Sequence, residues 1–297
     1  MSKYSKFKGT GVALTTPFQK DGSIDFRSLG KIIEHVIKGG VEYVVMLGTT
    51  GENPVLNKDE KKAIANYVIE TVNNKIPIVI GIGGNNTQEV INCFKHFNFD
   101  GIDAILSVSP YYNKPNQNGI FQHYKTIAEV SPLPVILYNV PGRTGSNIAA
   151  ETTLQLAEEI KNIIAIKEAS GNLEQIMKII KYKPKDFLMI SGDDLLTLPI
   201  IASGGDGVIS VIANALPKEF SEMVRQALAG NYLKAQKLHY LLDEFIRQIF
   251  ADGNPSGIKC LLEIMNICPS YLRLPSVKVN KQVEKRMREL YEEYMKK

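Results

Sequence analysis

The 297 residues are 44% apolar and 22% charged, ordinary proportions for a folded, water-soluble chain and enough for one large α/β domain or two small ones. Lys and Arg number 35 against 31 Asp and Glu, a formal charge of +4 without the clustered basic runs of a nucleic-acid surface, so no nucleic-acid partner is expected. No apolar run approaches the roughly 20 residues that span a bilayer, and residues 1–8 lack the apolar middle of a secretory signal, so a cytoplasmic chain with no membrane partner is expected.

From residue 11 onward, short runs rich in Val and Ile alternate with amphipathic segments of helical length. Strands are predicted at 11–17, 43–47, 78–82, 104–108, 135–139, 163–167, 187–191 and 207–211. Helices are expected to begin near Asp25, Lys58, Thr87, Gly119, Ala149, Asn172, Asp194 and Pro217, with Ser, Thr, Asn and Asp supplying several N-caps. Eight βα units in about 230 residues predict an α/β fold of the TIM (β/α)8 barrel type, because a doubly wound sheet would carry a dinucleotide fingerprint at its first turn and none is present. The glycines at 81–84 and 204–207 lack phosphate-loop spacing and read as tight turns. Helical patterns at 232–250, 255–265 and 281–295 follow, with a Pro-bearing link at 269–275. The expected organisation is a catalytic barrel over 1–228 and a C-terminal helical extension over 229–297.

In such a barrel the reactive groups sit at the C-terminal ends of the strands. Read as one set, those ends carry Gly48-Thr49-Thr50-Gly51-Glu52, Ser109-Pro110-Tyr111-Tyr112-Asn113, the segment from Tyr138 through Arg143 to Gly145, Lys167, Gly192 and Ile209-Ser210. Lys167 closes an apolar strand, where burial disfavours an ammonium and a neutral amine can attack a keto acid. The plainer alternative is a lysine at the strand mouth paired with Glu168. His35, His96, His123 and His239 all fall in predicted helices, which counts against a zinc-dependent aldolase and leaves proton transfer to Tyr and Thr hydroxyls. Cys93, Cys260 and Cys268 have neither metal-ligand spacing nor an even count and are expected to be reduced, packed thiols.

Five motifs, G-T-T-G-E at 48–52, Y-Y-N-K-P at 111–115, Y-N-V-P-G-R-T-G at 138–145, I-K-E-A-S-G-N at 166–172 and G-V-I-S at 207–210, occur in order along the chain. On these the sequence resembles, over nearly its whole length, the dihydrodipicolinate synthase and N-acetylneuraminate lyase superfamily of pyruvate-dependent class I aldolases, its synthase branch most of all. The resemblance implies that Lys167 forms an imine with pyruvate, that Tyr138 moves the protons, and that Thr49 links the Tyr138 hydroxyl to Tyr112 of the partner subunit. Thr50 and the amides of its turn would hold the pyruvate carboxylate, while Gly192 and the backbone near Ile209 would line the pocket.

Arg143 separates the subfamilies: the synthases use it for the carboxylate of L-aspartate 4-semialdehyde, a planar charged fork on a planar anion, and the sugar-acid lyases generally carry another residue. The resemblance therefore implies condensation of pyruvate with that semialdehyde to 4-hydroxy-tetrahydrodipicolinate, the first committed step of diaminopimelate and lysine biosynthesis, without metal or cofactor, in a homo-oligomer that is usually a dimer of dimers. The alternative within the superfamily is a lyase releasing pyruvate from a sugar acid or hydroxy-oxo acid; outside catalysis, a metabolite-binding barrel. More modest roles are an ion pair for Arg143, interface packing for Tyr112 and a singly hydrogen-bonded core tyrosine for Tyr138.

Many members are inhibited by lysine at a dimer contact, here matching Asn53, Pro54, Leu56, Lys58, Lys61, Asn85, Glu89 and Tyr111. Lysine-sensitive relatives often have histidine where this chain has Lys61, and an ammonium there would repel the effector, so weak or absent feedback is expected.

Overall fold

The eight apolar runs form one closed parallel sheet: β1 (Gly9–Ala13), β2 (Tyr43–Met46), β3 (Ile78–Gly81), β4 (Ala104–Val108), β5 (Val135–Asn139), β6 (Ile163–Glu168), β7 (Leu188–Ser191) and β8 (Gly207–Ser210), with β8 paired back to β1. The computed structural model describes residues 3–296. Around the sheet lie α1 (Phe26–Lys38), α2 (Lys58–Val72), α3 (Thr87–Phe94), α4 (Gln117–Val130), α5 (Pro141–Thr144), α6 (Ala150–Glu159), α7 (Leu173–Tyr182), α8 (Thr197–Ala202) and α9 (Pro217–Leu228), followed by α10 (Tyr232–Ala251), α11 (Ser256–Ile264) and α12 (Lys281–Met295). Side-chain caps start many of them: Asp25 accepts from the Ser28 N–H, and Asn57 and Glu60 form a reciprocal capping box on α2.

Two expected boundaries move. β1 lies at Gly9–Ala13 rather than 11–17, because the Thr15 N–H donates to Asn214 Oδ1 (3.2 Å) instead of a neighbouring strand and Pro17 has no N–H to give. Helix α8 begins at Thr197 rather than near Asp194, since Asp194 is committed to the backbone of Val211 and Ile212. His96 lies in the turn after α3, and α5 was not anticipated.

The barrel interior is packed from its N-terminal end upward. Phe7 meets Tyr43 edge to face at 5.8 Å and closes the bottom. Gly11 makes room for that ring, because a Cβ there would sit 2.2 Å from it. Above them Val45, Val79, Ala165, Leu188, Ile190 and Ile209 fill the bore, which leaves the C-terminal end open. Outside the sheet, Leu242, Phe245, Ile246, Ile258 and Leu261 of α10 and α11 join the same apolar cluster as Leu29, Ile32, Phe220 and Val224 of the barrel helices. Each such side chain contributes about 1.5–3 kcal/mol on burial, which ties α10 and α11 to the barrel helices, and Val283, Met287 and Leu290 add α12 to the same cluster.

Candidate active site

Lys167 reaches the bore because of one irregularity in β6. Val135 pairs with Ile163, but Ile136 pairs with Ala165, so β6 has an extra residue between these positions. A one-residue shift exchanges the two faces of a strand. Without it Tyr138 would sit beside Ile166; with it Tyr138 pairs with Lys167, and both side chains project inward at the same level. The Lys167 Nζ lies 4.4 Å from the centre of the Tyr138 ring, and the residue is only 5% exposed. Gly192 accommodates its stem: a Cβ there would lie 3.0 Å from Lys167 Cε and 2.7 Å from the Ala169 methyl.

The bulge sends Glu168 the other way. Its carboxylate accepts from Asn139 Nδ2 (3.0 Å), the Ser170 N–H (2.8 Å) and Gln175 Nε2 (2.9 Å), behind the sheet. Among the described residues no carboxylate lies within ion-pair distance of Lys167, so the Lys167–Glu168 pairing is not formed. Glu168, Asn139 and Gln175 lock β5, β6 and α7 together and so fix the height of Tyr138 and Lys167.

A cavity of about 530 Å³ opens over these two side chains, lined also by Thr49, Thr50, Gly142, Arg143, Gly192, Asp193, Val211, Phe250 and Asn254. It brings together six of the expected site residues: Lys167, Tyr138, Thr49, Thr50, Arg143 and Gly192. Arg143 is exposed on α5 and, among the described residues, has no acidic partner. Ile209 lies below, in the packed bore, and Val211 forms the wall at that side. Thr49 and Tyr138 share the cavity without a hydrogen bond between them in the single chain.

Several residues to which the sequence assigned no role hold the site together. Glu52 closes the 48–52 turn in the left-handed region (φ 55°) and forms an ion pair with Lys259 of α11, which also donates to the Tyr271 carbonyl at 2.9 Å. Burial pulls Lys259 below its ordinary value and the Glu52 carboxylate opposes that shift. Asn254, on the link between α10 and α11, donates from Nδ2 to Thr50 Oγ1 at 3.1 Å. Asp194 accepts from the Val211 and Ile212 N–H groups at 3.0 and 2.9 Å, and burial pushes its carboxyl up to about 6. Cys260 and Cys268 are buried, unoxidised thiols, pushed up to about 11 and 12 by burial; Cys93 is partly buried.

Residues 6–294 match the model of the dihydrodipicolinate synthetase family. The chain belongs to this family. The 4-hydroxy-tetrahydrodipicolinate synthase of Flavobacterium psychrophilum is 53% identical over 281 residues, 95% of this chain and 96% of its own. The dihydrodipicolinate synthase of Aquifex aeolicus has the same fold with a TM-score of 0.94 at 37% identity, over 97% of this chain and 98% of its own. The chloride-inhibited synthase of Acinetobacter baumannii, solved with pyruvate, gives a TM-score of 0.93 at 39% identity over 96% and 98%.

Within this dihydrodipicolinate synthetase fold, Tyr112 stands apart from its own chain's cavities. It is 88% exposed and holds a left-handed backbone (φ 71°), unusual for an aromatic residue. A second cavity of about 440 Å³ adjoins the first through Thr49, Tyr138, Arg143 and Asn254. Asn53, Pro54, Lys61 and Tyr111 of the expected effector residues line it; Leu56, Lys58, Asn85 and Glu89 do not. Leu56 is packed in the core, Lys58 opens α2, and Asn85 and Glu89 lie at the start of α3. Among the described residues no helix is long and apolar enough to cross a membrane.

Proposed function

We propose that this chain condenses pyruvate with L-aspartate 4-semialdehyde to give 4-hydroxy-tetrahydrodipicolinate through an imine on Lys167. The observation that carries the reading is Lys167 itself: buried at the floor of the open end of the barrel, against the Tyr138 ring, with no carboxylate among the described residues to neutralise it. The 53% identity to a synthase and the acid-free Arg143 at the cavity mouth support the choice of substrates.

The Lys167 amine adds to the pyruvate keto carbon and water leaves, forming the imine. Loss of a methyl proton gives an enamine, with the electron pair drawn toward the imine nitrogen. The enamine carbon then attacks the aldehyde, a carbon–carbon bond forms, and the former aldehyde oxygen takes up a proton. Attack of the semialdehyde's amino group on the imine carbon closes the ring and releases Lys167. Tyr138, whose ring lies against the amine, carries the protons, and Thr49 and Tyr112 of the partner subunit extend the relay. Thr50 and its turn hold the pyruvate carboxylate, Arg143 holds that of the semialdehyde, and Gly192, with the backbone near Ile209, shapes the pocket. Each step needs only the amine and proton transfers.

The exposure and backbone strain of Tyr112 support an assembly in which it enters a neighbouring site; we take that assembly to be a homotetramer built as a dimer of dimers, at work in the cytoplasm. Mixed dimers of inactive Tyr112→Phe and inactive Lys167→Ala chains then recover part of the activity; verified mixed dimers without recovery count against the shared site.

Borohydride reduction of the protein with pyruvate, followed by peptide mass analysis, tests the imine; a Lys167 peptide without the adduct refutes it. Activity with aspartate semialdehyde is then compared with pyruvate release from sugar acids. Faster release would leave the imine standing and make the chain a lyase.

A further inference from the structure

We infer that Asn254 is a positioning residue that presets the Thr50 hydroxyl as a hydrogen-bond donor to the pyruvate carboxylate. The inference rests on the proposed function for the presence of pyruvate. Its physical basis is the direction of one hydrogen bond. Asn254 Nδ2 lies 3.1 Å from Thr50 Oγ1, and an amide nitrogen can only donate. The Thr50 oxygen therefore accepts there, and its own proton must point elsewhere. Thr50 is 1% exposed, and no protein acceptor among the described residues takes that proton. The remaining direction is the 530 Å³ cavity that Thr50 and Asn254 both line, which also holds Lys167. A donor aimed before the ligand arrives costs no reorientation on binding.

The arrangement has a visible counterpart. The Asn254 Oδ1 is buried with no hydrogen-bond partner. Turning the amide over would satisfy that oxygen with the Thr50 hydroxyl and remove the proton from the cavity. The donor to pyruvate and a satisfied Asn254 oxygen are thus alternatives, and a bound carboxylate, which can only accept, selects the first. The sequence separation is 204 residues, with Asn254 arriving from the link between α10 and α11.

The test is a double-mutant cycle read by the pyruvate concentration that half-saturates borohydride trapping and by the pyruvate KM and kcat. Asn254→Ala is expected to raise the half-saturating concentration and KM about tenfold, close to 1.4 kcal/mol, with kcat within about twofold. In a Thr50→Val background the same change is expected to have less than about a twofold effect, whereas Thr50→Ser, which keeps the hydroxyl, retains the full effect. Asn254→Asp, close in shape, captures the hydroxyl proton and adds negative charge, so KM rises further. Equal Asn254→Ala effects in the parent and in the Thr50→Val background, a fall in kcat at unchanged KM, or an unchanged KM in Asn254→Asp would each overturn the inference. Wild-type protein that forms no pyruvate adduct would instead overturn the proposed function beneath it.

Discussion

Lys167 and Lys259 occupy similar surroundings and have opposite consequences. Both are almost wholly buried, and each holds its Nζ over an aromatic ring, Tyr138 at 4.4 Å and Phe18 at 4.3 Å. Lys259 has the Glu52 carboxylate and the Tyr271 carbonyl as well. Lys167 has neither kind of partner among the described residues. Burial and an aromatic face are common to a structural lysine and a reactive one; the missing counter-charge distinguishes them. Lys259 spends its charge joining α11 to the turn that carries Thr49 and Thr50, so the structural lysine holds part of the floor for the reactive one.

The sharpest way to break this contrast is to remove each amine. Lys167→Ala should lose on the order of 10³ or more in kcat and all trapped adduct, while the melting temperature stays near that of the parent. Lys259→Ala leaves Glu52 buried without its partner and should cost about 3–5 kcal/mol of stability by urea unfolding, with Lys167 still trapped in whatever protein remains folded. A Lys259→Ala protein as stable as its parent would mean that the buried pair contributes nothing to holding the turn.

Asp194 extends the comparison to an anion held by backbone N–H groups rather than by a cation. Its ordinary value is 3.8 and burial raises it to about 6, against the opposing pull of the Ile212 N–H, the Ser210 hydroxyl and the Val211 N–H. The fold therefore keeps the proton longer than the unfolded chain does. The associated stability is complete below about pH 4 and is lost as pH rises through about 6, by about 3 kcal/mol in total. Urea midpoints from pH 4 to 7 should show Asp194→Asn gaining on the parent as pH rises. His123, lowered to about 4 by burial, works in the opposite sense, its contribution being lost as pH falls from 6.5 through about 4. That contribution is common to both proteins and cancels in their difference, so a flat difference would exclude a raised Asp194.

Arg143 is the cation at the mouth with no acidic partner among the described residues. If it waits for the second substrate, Arg143→Ala should form the pyruvate adduct normally but lose about 10–100-fold in kcat/KM for the semialdehyde, the equivalent of one charged hydrogen-bonded contact of about 1.5–3 kcal/mol. Equal loss of trapping would show that Arg143 serves pyruvate instead.

The legible parts of the molecule are those written locally. Val- and Ile-rich runs marked all eight strands, and the strand ends named Lys167, Tyr138, Thr49, Thr50, Arg143 and Gly192. The extra residue in β6 was not legible, since Ile163, Ile164 and Ala165 are all apolar and either phase fits a strand buried on both faces. Glu52–Lys259 and Thr50–Asn254 span 207 and 204 residues, so no local pattern announces them. Their absence from the sequence reading reflects where the contacts are made: α10 and α11 fold back over the open end of a barrel whose chain has already finished.

Lys61 gives the smallest expected effect and sharpens the rule about uncompensated charge. It lines the second cavity, burial pulls it below its ordinary value, and no acidic side chain among the described residues pairs with it. A lysine effector entering beside Tyr111 and Asn53 would bring another ammonium toward this one. Two like charges about 4 Å apart repel by about 1 kcal/mol even in bulk water, and more strongly where solvent is thin. Wild-type protein should therefore keep most of its activity at sub-millimolar lysine. Lys61→Glu reverses the local sign and should lower the lysine concentration for half-inhibition by about fivefold or more. Strong inhibition of the wild type at sub-millimolar lysine would show that the effector's contacts elsewhere in the cavity outweigh Lys61.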